Sequence, residues 1–317
     1  MENRADQAPA IVVRDLVKTF GDLTAVDGIS FEVHEGEVFG ILGPNGAGKT
    51  TTLECIEGLQ QPTAGSIEVL GLDSQRDAWQ IKERIGVQLQ TSAFFDCLNL
   101  TEILQLFGTF YAKKLPPGDL LARMELGDKA KARVTQLSGG QKQRFSVAIT
   151  LVSDPALVFL DEPTTGLDPQ ARRHMWDLVQ AMHAEGRTVV LTTHYMEEAQ
   201  LLCERVAIMD RGKIVALDTP TNLVRALDAP YEVRATVGVG ASDELLGALP
   251  GVIDVRPVGP VGSDGGGVAL RSSDATSTVP ALLSWAAERG EQLADLEVRP
   301  ATLEDVFLAL TGRELRK

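Results

Sequence analysis

"VFGILGPNGAGKTTTLECIEGL", Val38 to Leu59, is the stretch whose reading decides the fold. Its first five residues form an apolar run that leads straight into glycines, and from Lys49 onward the pattern is helical. The octapeptide GPNGAGKT satisfies G-x-x-x-x-G-K-[ST] with Gly43, Gly48, Lys49 and Thr50 in the required places. A strand before it and a helix after it are the context that turns this pattern into a phosphate-binding loop. The loop runs through Gly43, Pro44, Asn45, Gly46, Ala47 and Gly48 into Lys49, Thr50 and Thr51. Its glycines let successive backbone N–H groups face phosphate oxygens, and the helix N-terminus adds favourable partial charge. Lys49 is placed to neutralise the β and γ phosphates of ATP, and the Thr50 hydroxyl to hold Mg²⁺.

Working outward, "IVVRDLVKTFGDLTAVDGISFEV" on the amino-terminal side has β-branched runs broken by Gly-Asp and Asp-Gly, the signature of antiparallel strands. Downstream, "SIEVL" is a strand, and Ile103, Leu104, Leu106, Phe107, Phe110 and Tyr111 form a helical stripe within 101–126. "ALVFLD" and "TVVLTTH" are continuous apolar runs of the kind buried on both faces of a parallel sheet. Between them Asp168 as N-cap, Pro169 and Gly186 bracket a helix. Beyond Tyr231 the order of elements is βαββαβ with a glycine-rich turn over 259–267, a ferredoxin-like arrangement, and a last amphipathic helix follows. The expected fold is α/β, with a mostly parallel core sheet, an antiparallel N-terminal β-subdomain and an α-helical insert over about 91–155. The expected domains are 1–220, a linker over 221–230, and a small α+β unit over 231–317.

The 317 residues are too many for one ordinary core, and 44% hydrophobic with 23% charged is ordinary globular composition. A net charge of −14 opposes nucleic acid as a partner and opposes attachment to anionic lipid through a basic patch. No window reaches the roughly 18 apolar residues that a spanning helix needs, and "MENRADQAPA" lacks the pattern of an export signal. The three cysteines are widely spaced without histidine clusters, which disfavours a disulfide framework or a zinc site.

Asp161 and Glu162 end the buried run "LVFL". Two carboxylates there are costly without a cation, which a Mg²⁺-nucleotide supplies. Asp161 is assigned to the metal, and Glu162 to orienting or deprotonating the attacking water. His194 closes "TVVLTTH" at the carboxyl edge of the sheet, where open α/β folds bind ligands, and is read as a γ-phosphate contact. His34, His174 and His183 have no such context. In "LSGGQKQR", Ser138 and Gln141 form a capping box that opens a helix, and Gly139 and Gly140 leave its N–H groups unobstructed. This second anion site has no magnesium ligand of its own, so it reads as half a site.

The order "GPNGAGKT", "LSGGQKQR", "LVFLDEPTTGLDP", "TTHYMEEA" resembles the nucleotide-binding subunits of ABC transporters over roughly Ile11 to Pro220. The resemblance implies an ATPase in which two copies pair head to tail, so that Ser138, Gly139, Gly140 and Gln141 of one serve the γ-phosphate held by the other. It implies that Phe20 in "KTFG" stacks on adenine, and that Gln90 in "RIGVQLQ" touches Mg²⁺, with Gln88 as the competing candidate. It implies that Asp168 belongs to the loop crossing the dimer interface, and that the permease's coupling helix is received around Phe94 to Tyr111. "THYMEEAQLLCERVAIMDRGKIVALDTP" and "PATLEDVFLALTG" are similar to ATPases of the daunorubicin-resistance, ABC-2 exporter type. That narrower match implies a homodimer beneath a separately encoded ABC-2 permease, on the cytoplasmic face of a bacterial plasma membrane, driving efflux of a drug, antibiotic or other hydrophobic compound. An ABC importer subunit and a soluble regulatory ABC ATPase remain the alternatives.

Overall fold

The computed structural model describes residues 8–89, 94–238, 243–262 and 265–312. The amino-terminal residues 1–7, Gln90 and the centre of the glycine-rich turn at 263–264 lie outside the described residues. Contacts divide the chain into two compact units that meet between Thr219 and Pro220.

In the first unit the chain runs through β1 (Pro9–Phe20), β2 (Leu23–His34), β3 (Val38–Leu42), α1 (Lys49–Ile56), β4 (Ala64–Val69), β5 (Leu72–Asp73), α2 (Ala78–Lys82) and β6 (Ile85–Gln88). The insert carries α3 (Leu100–Gly108), α4 (Pro117–Arg123) and α5 (Gly139–Thr150). β7 (Leu157–Asp161), α6 (Pro169–Ala184), β8 (Thr188–Thr193), α7 (Met196–Leu202), β9 (Arg205–Asp210) and β10 (Lys213–Asp218) complete it. β1, β2, β4 and β5 form an antiparallel four-stranded sheet in the order β2-β1-β4-β5. The core sheet has six strands in the order β10-β9-β3-β8-β7-β6, parallel except for the β9–β10 hairpin.

Every residue of β3, β7 and β8 is buried, as strands covered on both faces require. α1 packs between the two sheets, and its Leu53, Cys55 and Ile56 join Ile11, Val13, Phe39, Ile41, Phe159 and Val190 in one core. Parallel register sets Leu42 beside Thr193 and Asp161 beside Thr192. Three strand ends therefore open at one edge of the sheet.

The helical stripe over 101–126 is two helices rather than one. α3 ends at Gly108, so Phe110 and Tyr111 of the stripe lie beyond it, and α4 starts afresh at Pro117, in its first turn, where a missing N–H costs nothing. α3 begins on a reciprocal capping box between Asn99 and Glu102.

The second unit contains α8 (Pro220–Arg225), β11 (Tyr231–Val237), α9 (Asp243–Gly247), β12 (Val252–Gly262), β13 (Gly265–Ser272), α10 (Ala275–Arg289), β14 (Ala294–Pro300) and α11 (Leu303–Thr311). Its antiparallel sheet has the order β12-β13-β11-β14, the ferredoxin-like arrangement. Val233, Ala235, Val237 and Leu270 pack beneath Leu282 and Trp285 of α10. α8, within the stretch expected as a linker, packs against α11 in this unit.

Candidate active site

The phosphate loop hangs between β3 and α1, anchored where Gly43 N donates to the Thr193 carbonyl at 3.3 Å. Gly43 and Gly48 are required by close approach. A Cβ on the first would run into the Met209 carbonyl, and on the second into that of Ala25, where φ is also +101°. Lys49 is the first residue of α1 and only 4% exposed. Its Nζ donates to the carbonyls of Gly43 at 2.9 Å and Pro44 at 3.2 Å and lies 3.3 Å from Glu162 Oε1. Burial pulls the Lys49 ammonium below its ordinary pKa, and the Glu162 and Asp161 carboxylates offset part of that.

Asp161 ends β7 and Glu162 follows at φ +47°, a left-handed conformation rare outside glycine and characteristic of functional sites. The Thr50 hydroxyl donates to Asp161 Oδ2 at 3.1 Å, and the Thr192 hydroxyl to Asp161 Oδ1. Thr192 also accepts from Glu162 N at 3.0 Å through its hydroxyl oxygen, so β8 fixes both acids. Glu162 Oε2 accepts from the Thr165 hydroxyl at 3.0 Å and stands 3.3 Å from His194 Nδ1, a Coulombic approach without aligned hydrogen-bond geometry. Burial pushes the Glu162 carboxyl up. The Lys49 ammonium, Thr165 hydroxyl and His194 more than compensate and leave it below the ordinary range.

Lys49, Thr50, Asp161, Glu162 and His194 are thus brought together. Thr50 Oγ1 and Asp161 are adjacent hard oxygen donors at a helix N-terminus, and acid outnumbers base around them; this donor set fits Mg²⁺. Gln90, assigned to the same metal, lies outside the described residues. Its competitor Gln88 is 1% exposed at the end of β6, and neither of its amide atoms has an aligned partner among the described residues. Phe20 is half exposed at the β1–β2 turn with Lys18 Nζ 4.7 Å from its ring centre. The hairpin carrying it meets the loop, since Ala25, which faces Gly48, adjoins Val26, the register partner of Lys18.

The signature helix α5 starts as expected. Ser138 accepts from Gln141 N at 3.3 Å, Gln141 Oε1 accepts from Ser138 N at 3.0 Å, and a Cβ on Gly139 would meet nothing within 4 Å. No hydrogen bond among the described residues joins Ser138–Gln141 to the phosphate loop. Asp168 caps α6, accepting from Gln170 N at 3.0 Å and Ala171 N at 2.9 Å. A surface cavity of about 250 Å³ lies in the insert between Phe94 and Asp96 on one side and Lys142, Gln143 and Ser146 of α5 on the other.

Several residues here escape a sequence reading. Thr192 and Thr165 look like ordinary strand and loop threonines. Glu57, one residue past α1, is 2% exposed; burial, then Asp161 and Glu54, raise its carboxyl to about 8. Its only trace in the sequence is an acid inside the otherwise apolar "CIEGL".

Residues 26–165 match the family model described as ABC transporter, and residues 244–302 match that of the ABC transporter domain-containing protein-like, C-terminal domain. The chain is 38% identical to the Nod factor export ATP-binding protein I of Ralstonia nicotianae, over 97% of this chain and 95% of that protein. It is 36% identical to a daunorubicin resistance ATP-binding protein of Streptomyces coeruleorubidus, with 97% of each covered. It is 35% identical to a linearmycin resistance ATP-binding protein of Bacillus subtilis, over 95% of this chain and 98% of that one. Among solved structures, an ATP-binding subunit of an ABC transporter superposes with a TM-score of 0.62 at 27% identity, over 68% of this chain and 92% of that one. A dimeric ATP-binding cassette in a post-hydrolysis state with ADP and Pi gives 0.61 at 26% identity, over 66% and 98%.

Proposed function

The chain belongs to the ABC transporter ATP-binding proteins of exporter type and is an ATPase, and from that premise we propose how its residues divide the work. Gly43 to Thr51 bind the triphosphate, with Lys49 exchanging its Glu162 partner for the γ-phosphate. Thr50 and Asp161, together with Gln90, would hold Mg²⁺, which would supply positive charge to offset that of the phosphates. Glu162, ionised at neutral pH, orients the attacking water and accepts its proton. His194 contacts the γ-phosphate from the far side of Glu162.

A second copy of the chain supplies Ser138 to Gln141, and Asp168 lies in the loop between the copies. The observation that carries this is the capped glycine helix: its capping box is formed, a Cβ on Gly139 would meet only open space, and no hydrogen bond among the described residues ties it to the chain's own phosphate loop. A γ-phosphate gripped from both sides favours the closed homodimer, and hydrolysis removes the shared charge. The cavity beside Phe94 and α5 receives a helix of an ABC-2 permease, which holds the protein at the cytoplasmic face of the membrane. No described helix is long and apolar enough to cross a membrane. The cargo is a hydrophobic compound of the antibiotic kind, as the names of the daunorubicin and linearmycin relatives indicate for those proteins.

Sedimentation of the Glu162→Gln chain with ATP and Mg²⁺ tests this. A two-chain species that dissociates on ATP removal is expected; a monomer at saturating nucleotide would overturn the shared site.

A further inference from the structure

β14 is an edge strand of the second unit, and every one of its residues is exposed. A bare edge offers a row of N–H and C=O groups to another strand. The opposite edge, β12, is blunted, because Pro257 removes a donor and the register with β13 breaks twice. β14 has its one proline at its last position, Pro300, and pairs with β11 without a break from Pro300 back to Glu297.

One bond fixes which groups face outward. Ala301 N donates to the Pro230 carbonyl at 2.8 Å, so in the same register Arg299 and Glu297 turn their backbone groups to β11, and Val298 and Leu296 turn theirs away from the sheet. The two faces of the strand differ in chemistry. Val298 is the register partner of the core residue Val233, yet it is 45% exposed, and Leu296 on the same face is 39% exposed. The other face carries Glu297 and Arg299, a half-exposed ion pair at 2.7 Å.

This pattern is complementary to itself. About a twofold axis at Val298, a second antiparallel β14 sets Val298 against its counterpart, Leu296 against Pro300, and each Glu297 against the partner's Arg299. Val298 then exchanges both backbone bonds with its counterpart, and Leu296 N reaches the partner's Pro300 carbonyl. Moving the axis by one residue, to Glu297 or to Arg299, would place two like charges face to face, so the charges select the first register.

We propose that β14 is a self-association edge, through which the C-terminal units of two copies of this chain join into one continuous sheet. The occupant is a second copy because charge and apolar surface match under the symmetry of a closed pair. The contact involves no nucleotide and does not rest on the shared ATP site. It keeps two copies together between turnovers and raises the concentration at which each meets the other.

The test is sedimentation of the full chain without nucleotide over a concentration series, where wild type is expected to dimerise reversibly. Glu297→Arg and Arg299→Glu each set like charges across the axis and should weaken that dimer by roughly tenfold or more. An equimolar mixture of the two should recover it, because the new arginine of one chain meets the new glutamate of the other. Each variant also faces a like charge on β11 of its own chain, and mixing leaves that unchanged, so recovery reads the interface and not the folding. As a second readout, Val298→Cys in a Cys97→Ser chain should cross-link to its twin under mild oxidation, since such partners sit about 5.5 Å apart at Cα. Cys55 and Cys203 are buried, and Ile253→Cys on β12 should stay single. A strictly monomeric nucleotide-free chain, single variants that associate like wild type, a mixture no better than its components, or cross-linking at Ile253 in place of Val298 would each overturn the edge. A dimer that forms only with ATP sinks β14 and leaves the shared site standing, whereas a nucleotide-free dimer that ATP does not strengthen strikes the shared site alone.

Discussion

Lys49→Met strips the ammonium from the centre of the site and leaves most of the stem volume in place. With Nζ 3.3 Å from Glu162 Oε1, the bare Coulomb attraction is about 5 kcal/mol at an effective dielectric near 20. Desolvation of both charges cancels much of it, but truncating one partner of a buried pair still costs roughly 3–5 kcal/mol, because the other charge is stranded. The urea midpoint of the nucleotide-free protein should therefore fall, and the Glu162 carboxyl should rise above its present depressed pKa. For ATP, the lost contact is a charge-assisted bond worth about 1.5–3 kcal/mol, which predicts affinity weaker by roughly 10- to 100-fold. Calorimetric titration with ATP and Mg²⁺ near neutral pH reads this directly. Affinity within about threefold of wild type would refute the assignment of Lys49 to the phosphates.

Glu162→Gln should slow turnover by roughly 10²–10⁴-fold while ATP still binds; turnover within about tenfold of wild type would remove Glu162 from the chemistry. Gly43→Ala drives a Cβ into the backbone carbonyl of Met209, so nucleotide affinity should drop in calorimetry even though the added group is one methyl. Asp168→Ala removes the cap that serves Gln170 N and Ala171 N and should cost about 1 kcal/mol in chemical denaturation. Asp154, held below the ordinary carboxylate range first by Lys113 and then by Arg187, contributes stability that is present above the unfolded pKa and lost as pH falls through the folded one. Melting temperature should therefore decline on acidification below the usual aspartate range, less steeply in Arg187→Gln.

What the sequence made legible was whatever local chemistry encodes. The phosphate loop, the Ser138–Gln141 capping box and the Asp168-Pro169 helix start each lie within a few residues, and each forms as read. The fully apolar runs of β7 and β8 likewise declared a doubly covered parallel sheet. The apolar stripe up to Tyr111 overran the true end of α3 at Gly108, because apolar spacing alone does not mark where a helix stops, whereas Pro117 does mark the start of α4. Burial of acids is set by tertiary packing: Glu57 and Glu198, which no local motif singles out, are interior. Gln88 and Gln90 share one strand pattern, and only the fold shows Gln88 to be sealed inside.

The central claim is that each active centre is completed by a second copy. Lys49→Met and Ser138→Arg chains, each inactive alone, should regain ATPase activity when mixed. A mixed pair combines the intact phosphate loop of one copy with the intact signature helix of the other. Random pairing predicts roughly a quarter of the wild-type rate at equal amounts. A mixture no more active than the sum of its two components, with both variants shown to be folded, would contradict the account.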